Sequence, residues 1–267
     1  MSKYLWMAVG VLFLFGCQST SEEFGYFERS LNTKSHGYQE VADPIDTSNL
    51  DLVEYFEVRD GDCSSNGFWN DCANDRERSE LSQQTNRQGD GDEYWYAWEL
   101  YLPEDYPNIY PTKVALGQFH QVNGLPVFMF QNQSPPFNDT WNPAIKGGYH
   151  LDRQVDGQTV TMWELLSEKE LRGKWHRIEL HAKWSKSTDG FFKVWVNGEQ
   201  KVRFNGQTLY KSAAYFKYGI YRTFLSRYKG VKKTDHMPTQ QAYYRYVKRG
   251  LTKESIQPGY VSPNIKE

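Results

Sequence analysis

The chain has 267 residues, a formal net charge of −2 and aromatic side chains at 16% of its positions, which suits one large β-rich domain or two small ones. Its N-terminal apolar run, Tyr4 to Phe15, is shorter than the ~20 residues a spanning helix needs, and no second apolar segment is long enough either. Beyond that run only Cys63 and Cys72 accompany Cys17, and two isolated cysteines do not complete a four-ligand zinc set.

Lys3, the apolar run and Leu14-Phe15-Gly16-Cys17 have the arrangement of a secretory signal whose end resembles a bacterial lipobox. That resemblance implies a signal peptide over residues 1–16 and a lipidated Cys17. The product would be an exported lipoprotein held to a membrane, at the periplasmic face or the cell surface. A plain signal peptide with a chance cysteine is the other reading. Residues 18–35 are rich in Ser, Thr and Glu and read as a tether, so the lipidated N-terminus and tether occupy 17–35 and the domain 36–267.

Leu50 to Arg59 alternates as a first strand, stopped by Asp60-Gly61-Asp62. In an exported chain Cys63 and Cys72, each flanked by turn formers, read as a disulfide that staples a loop just before Arg78. Arg76 to Gln83 is a strand despite its charges, and Gln88 to Asp92 is a turn. Tyr94 to Leu102 is the most apolar strand, with Tyr94, Tyr96, Trp98, Leu100 and Leu102 on one face. Lys113 to Val122 follows, then shorter strands at Val127 to Gln131, Gly148 to Arg153 and Thr159 to Glu164. Ser134-Pro135-Pro136 marks a loop between them. A short helix is predicted near Leu165 to Leu171. Trp175 to Trp184 and Phe191 to Val196 form a hairpin through Asp189-Gly190, and Asn197-Gly198 signals another tight turn. Roughly a dozen strands in one domain predict an all-β sandwich or jelly roll, because a single open sheet that wide leaves long edges exposed.

Three strands gather distinctive polar groups on one face. Over Tyr215 to Arg222, Tyr215, Lys217, Gly219 and Tyr221 alternate with Phe216, Tyr218 and Ile220, and Gly219 leaves a gap through which a ligand could approach the backbone. Arg78 and Glu80 share a face of their strand, as do Gln118 and His120 with Phe119 behind them. Should the three strands adjoin, their polar faces suit a uronic acid sugar, whose carboxylate needs cationic or hydrogen-bonding partners. Lys201 to Lys253 holds 13 Lys and Arg against Asp235 alone, a local +12 that leaves −14 elsewhere. Such a stretch serves an acidic polysaccharide, anionic lipid or nucleic acid, or is a solvated face; export disfavours nucleic acid. Asp60-Gly61-Asp62 and Asp90-Gly91-Asp92 lack calcium-loop spacing. No metal or cofactor is expected, a structural calcium ion being left open.

Arg78-Ser79-Glu80-Leu81, Gln118-Phe119-His120 and Tyr215-Phe216-Lys217-Tyr218-Gly219-Ile220-Tyr221 resemble the motif set of jelly-roll alginate lyases. Their surroundings, including Phe56 to Cys63, Trp175 to Gly198 and Arg222, resemble the heparin lyase I-like and glucuronan lyase group across residues 50–225. The resemblance implies a β-jelly roll whose concave face cleaves a uronate polysaccharide by β-elimination, acting as a monomer on an acidic polymer. It makes Arg78, Gln118 and His120 holders of the sugar carboxylate, with donors that stabilise its developing charge. Tyr221, its phenolate favoured by Lys217 and Arg222, becomes base, acid or both. For glucuronate or mannuronate one tyrosine could do both tasks; for guluronate or iduronate His120 would be the base and Tyr221 the acid. Lys217, Glu80, Tyr215 and Arg222 would bind substrate. Each has a quieter reading: Glu80 orienting Arg78 or Lys217, His120 a structural histidine, Tyr215 a groove wall. Trp69, Trp141 and Trp163 are candidates to stack on sugar rings. A single acid on the polar face favours elimination over hydrolysis, which needs two. Glucuronan ranks first as polymer, alginate second, heparin-type third. A non-catalytic module that binds acidic polysaccharide is the competing reading.

Overall fold

The computed structural model describes residues 23–48, 50–132 and 147–260; Cys17, Trp141 and the Ser134-Pro135-Pro136 loop lie outside them. Alternation of large apolar with polar residues builds two antiparallel sheets packed face to face, the jelly-roll sandwich expected of the sequence. The first sheet holds β1 (Phe27–Arg29), β4 (Arg76–Gln83), β5 (Gln88–Gly89), β7 (Lys113–Gln121), β8 (Phe128–Asn132), β9 (Tyr149–Val155), β10 (Gln158–Leu166) and β14 (Ala213–Thr223). Its order is β1-β4-β14-β7-β8-β9-β10, with β5 pairing beside β14. The second holds β2 (Tyr38–Val41), β3 (Val53–Val58), β6 (Glu93–Tyr101), β11 (Trp175–Lys183), β12 (Phe191–Val196), β13 (Glu199–Asn205) and β15 (Gln240–Gly250). Their order is β13-β12-β11-β6-β15-β3-β2.

Aromatic rings join the sheets. All five residues of the predicted apolar face from Tyr94 to Leu102 are buried. Trp98 of β6 meets Phe216 of β14 with ring centroids 5.1 Å apart, and Phe192 of β12 stacks on Phe128 of β8 at 3.7 Å. Phe216, Tyr218 and Ile220 thus form the core side of β14, as the alternation predicts, and Tyr215, Lys217 and Tyr221 are left to the other side.

Three expectations change. The helix predicted near Leu165 to Leu171 is instead the end of β10 followed by a turn, because the register continues to Leu166 opposite Tyr149; a short apolar run does not distinguish strand from helix. Among the described residues the α-helix is α1 (Leu225–Lys232), a basic segment without an apolar stripe, entered at Phe224 with φ 64° and left at Lys233 with φ 54°. The predicted tether joins the fold from Phe24 onward: β1 pairs with Leu81 to Gln83, and Phe24 stacks on Phe216 at 5.6 Å. Phe24 and Phe27 pack against the core, and backbone hydrogen bonds from Ser30 to Glu80 and from Gln84 to Tyr26 hold the segment in place. The basic stretch is not one surface either. Arg249 lies over the Tyr94 ring at 4.2 Å, and Arg245 pairs with Glu99 at 2.7 Å and with Asp43.

Candidate active site

Strand order β4-β14-β7 puts the three polar-faced strands side by side. Arg78 sits opposite Tyr221, Lys217 opposite Gln118, and Tyr215 opposite His120. All six line one groove of about 610 Å³ on the face away from the core. His120 lies to one side of the Gln118–Lys217 row and Tyr221 to the other, so the two bracket the space above that row.

Beneath the groove is a closed charge cluster. Glu80, 1% exposed, accepts from Lys217 Nζ at 2.7 Å, Arg78 Nη1 at 3.2 Å and Gln118 Nε2 at 2.6 Å. Burial pushes its carboxyl up, but Lys217 and Arg78 outweigh that and hold it below the usual range. Arg78 is gripped from the other side by Asp71, whose two oxygens accept from Nε and Nη2, each at 2.6 Å. Such a planar fork on a carboxylate is the strongest geometry arginine has. The residue expected to clamp a sugar carboxylate therefore already holds a protein one. Its remaining face lies over the Tyr221 ring, 4.1 Å from the centroid.

Tyr221 is where the sequence led us to expect a depressed phenol. Burial instead raises it to about 12, with Arg78 and Arg76 pulling only partly back. Arg222, assumed to help, points to the core: it is fully buried, pairs with Glu77 and donates to the carbonyls of Pro238 at 2.6 Å and Arg59 at 3.0 Å. It follows Tyr221 by one residue and so takes the opposite face of the strand. The substrate-binding role expected of it has no geometric basis.

His120 is lowered to about 4, by burial first and by Lys217 next, and is neutral at pH 7. Its Nδ1 lies 3.0 Å from the Gln121 carbonyl oxygen and 3.1 Å from the Tyr215 hydroxyl. A carbonyl only accepts, which assigns the proton to Nδ1 and the lone pair to Nε2. Tyr215 is thus more than a groove wall, since it also fixes the imidazole. Gly219, read as a gap for a ligand, has φ +122° and is crowded from the core: an added Cβ would collide with the Ser79 carbonyl oxygen and lie 2.8 Å from Phe56 Cδ1.

Cys63 and Cys72 form the expected disulfide, with Cα atoms 5.1 Å apart. What the sequence did not suggest is that its loop carries Asp71 and Trp69 to the site, where the Trp69 indole donates to Asp71 at 2.9 Å. A buried arginine demands an acid, and that demand was the available signal. Of the tryptophans proposed for stacking, Trp69 lines the groove and is 42% exposed, whereas Trp163 packs on the core beside Phe204. Also unforeseen were Arg76, Met129, Gln131 and Gln154 in the lining.

The acidic turns have protein partners. Asp62 accepts from Lys34 at 2.8 Å and is 2.7 Å from His36, while Asp60 accepts from the Met237 amide at 3.1 Å. Asp90 and Asp92 accept from the amides of Lys186 and Gly89. Among the described residues no group of three or more His, Cys, Asp or Glu is set to hold a metal ion. Both carboxylates under the groove, Asp71 and Glu80, are tied to cations, an arrangement unlike the paired acid and base of hydrolysis.

The family described as polysaccharide lyase matches residues 19–248. No curated protein matches the chain. Among solved structures, an endo-β-1,4-glucuronan lyase from the fungus Trichoderma reesei is similar, with a TM-score of 0.60 at 18% identity over 89% of this chain and 95% of that one. An alginate lyase A1-II′ structure gives 0.54 at 12% identity over 85% and 94%, and the alginate lyase from Klebsiella pneumoniae 0.50 at 12% over 76% and 82%. At these identities the likeness is one of fold.

Proposed function

We propose, from the premise that this chain belongs to the polysaccharide lyase family, that its groove cleaves a uronic-acid polysaccharide by β-elimination and leaves 4,5-unsaturated uronate ends. The observation that carries this reading is the meeting of Arg78, Gln118, His120, Lys217 and Tyr221 along one groove. Elimination needs a base for the C5 proton, donors that stabilise the charge delocalised onto the carboxylate, and an acid for O4 as the C4–O4 bond breaks and the C4–C5 double bond forms. His120 Nε2, neutral and holding a lone pair, takes the C5 proton. Tyr221, protonated well above neutral pH, gives its proton to O4. Gln118 and Lys217 each keep hydrogens beyond those given to Glu80, and these face the sugar carboxylate. Arg78 acts at one remove, holding the Tyr221 ring.

By motif, glucuronan-type polymers come first as substrate, alginate second and heparin-type chains third; the division of protons between His120 and Tyr221 is the one for guluronate or iduronate units, and on glucuronate, whose C5 proton and O4 share a face, Tyr221 would serve both steps. The sequence motifs support this order, as does a fold shared with a protein described as a glucuronan lyase. Export as a lipoprotein anchored through Cys17 belongs to the same proposal. It is supported by the signal-like N-terminus and by a disulfide of the kind oxidising compartments allow. The test incubates purified protein with glucuronan, alginate and heparin-type polymers and follows the ultraviolet absorbance of the conjugated product, with masses of the fragments. Absorbance rising on a polyuronate, with fragments ending in an unsaturated sugar, is the expected result; fragments heavier by one water would mean hydrolysis and end the proposal.

A further inference from the structure

The four charges under the groove cancel. Arg78 and Lys217 are matched by Asp71 and Glu80, each pair within 3.2 Å, and all four side chains are buried. This cluster orients the chemistry, yet it offers no net attraction to a polyanion. Attraction must come from cations placed elsewhere in the groove.

Arg76 is such a cation. It precedes Arg78 by two residues on the same face of β4, about 7 Å farther along the strand, in a cross-strand row with Thr223 and Lys113. Arg76, Thr223 and Lys113 all line the groove. Among the described residues Arg76 pairs with no carboxylate; Nη1 donates to the Asn74 carbonyl at 3.2 Å, and the buried Nε has no acceptor. Its guanidinium lies 5.2 Å from the Trp69 ring and 5.8 Å from the Phe224 ring. Two aromatic rings hold the plane in place without using its hydrogens. An arginine fixed by rings, with donors left over at the wall of a groove, is built to take a planar anion.

We propose that Arg76, with Trp69 and Phe224 as its walls, is a subsite for the carboxylate of a uronate neighbouring the one that is cleaved. The inference rests on the lyase reading and narrows it: the substrate is a run of uronates, and a polymer that alternates uronate with neutral sugar forfeits this contact. Trp69 reaches the subsite from the disulfide loop, and its indole bonds to Asp71, the carboxylate that holds Arg78.

The test compares wild type, Arg76→Gln and Arg76→Lys on a homopolymeric uronate and on a polymer alternating uronate with neutral sugar. Arg76→Gln raises KM on the homopolymer about tenfold or more, the usual loss for one charge-assisted pair, with kcat within about twofold and a weaker salt dependence of KM. Arg76→Lys falls between, having charge without the fork. On the alternating polymer the three proteins share one KM. Binding of saturated oligouronates to Tyr221→Phe, with and without Arg76→Gln, reads the same contact without turnover, and the dissociation constant again rises about tenfold. Equal KM and equal binding for Arg76→Gln on the homopolymer would overturn the subsite while leaving an active lyase untouched, as would equal losses on both polymers. Absence of unsaturated product from wild type on every polymer would instead strike the lyase reading.

Discussion

In the proposed elimination, Tyr221 and His120 divide the proton work according to their surroundings. A phenol raised to about 12 is almost wholly protonated at neutral pH, and an imidazole lowered to about 4 is almost wholly free base. With His120 as base and Tyr221 as acid, both active forms persist between those values, so kcat/KM is flat from about pH 6 to 9, falling in acid as His120 protonates. Were Tyr221 phenolate the base, the rate would climb about tenfold per pH unit through the same range. A pH–rate profile therefore separates the two assignments. Tyr221→Phe should lower kcat by about 10² to 10⁴, typical for one lost acid, with oligouronate binding retained. The faces of these residues were legible in the sequence, because alternation within a strand is a local property. Their ionisation was not. Tyr221 was judged by its chain neighbours Lys217 and Arg222, whereas burial and the guanidinium of Arg78 across the strand pair decide it.

At the scale of single strands, β14 carries a bulge: its register against β7 shifts between Tyr218 and Tyr221, and Gly219 sits there at φ +122°. A side chain at that φ is strained by about 1–3 kcal/mol, and here it would also strike Ser79 and Phe56. Gly219→Ala should lower the melting temperature by several degrees or more and reduce activity, since Lys217 and Tyr221 flank the bulge. Calorimetry alongside rate measurement checks both. A second prediction concerns Glu54 of β3, which accepts from Tyr218 at 2.8 Å and Tyr38 at 3.1 Å. Burial raises its carboxyl to about 7. Because the folded value exceeds the unfolded one, the stabilisation from keeping this group protonated is complete below about pH 4.5 and is lost as pH rises through about 7. Glu54→Gln keeps an acceptor for both hydroxyls without the charge. Its melting temperature should change less than that of wild type between pH 5 and 8.5, by differential scanning fluorimetry. The strands themselves were well marked in sequence, and β4 begins and ends where the pattern placed it. The helix was misplaced because α1 is set by left-handed residues at both ends and not by an apolar stripe.

For the whole molecule, the sandwich follows from the number of alternating, aromatic-rich strands, but the site depends on adjacency that no local pattern encodes. Strand order β4-β14-β7 joins Glu80 to Lys217, 137 residues apart, and His120 to Tyr215, 95 residues apart. In the sequence only the resemblance of three motifs to a known set pointed to their meeting, and it did not reveal Asp71. The disulfide is the feature with the widest reach. Replacing both Cys63 and Cys72 by serine should cost about 2–3 kcal/mol for a loop of this length, measured by urea unfolding. Turnover should fall by more than that stability loss explains, because Asp71 and Trp69 sit inside the loop. With export as proposed, the same bond would set a maturation order. A newly made chain in reducing surroundings would lack the closure that brings Asp71 to Arg78, and the proposed site would stay incomplete until the bond forms. Oxidation on leaving the cell interior would complete the enzyme, making thiol chemistry the safety catch on a sugar-cutting reaction.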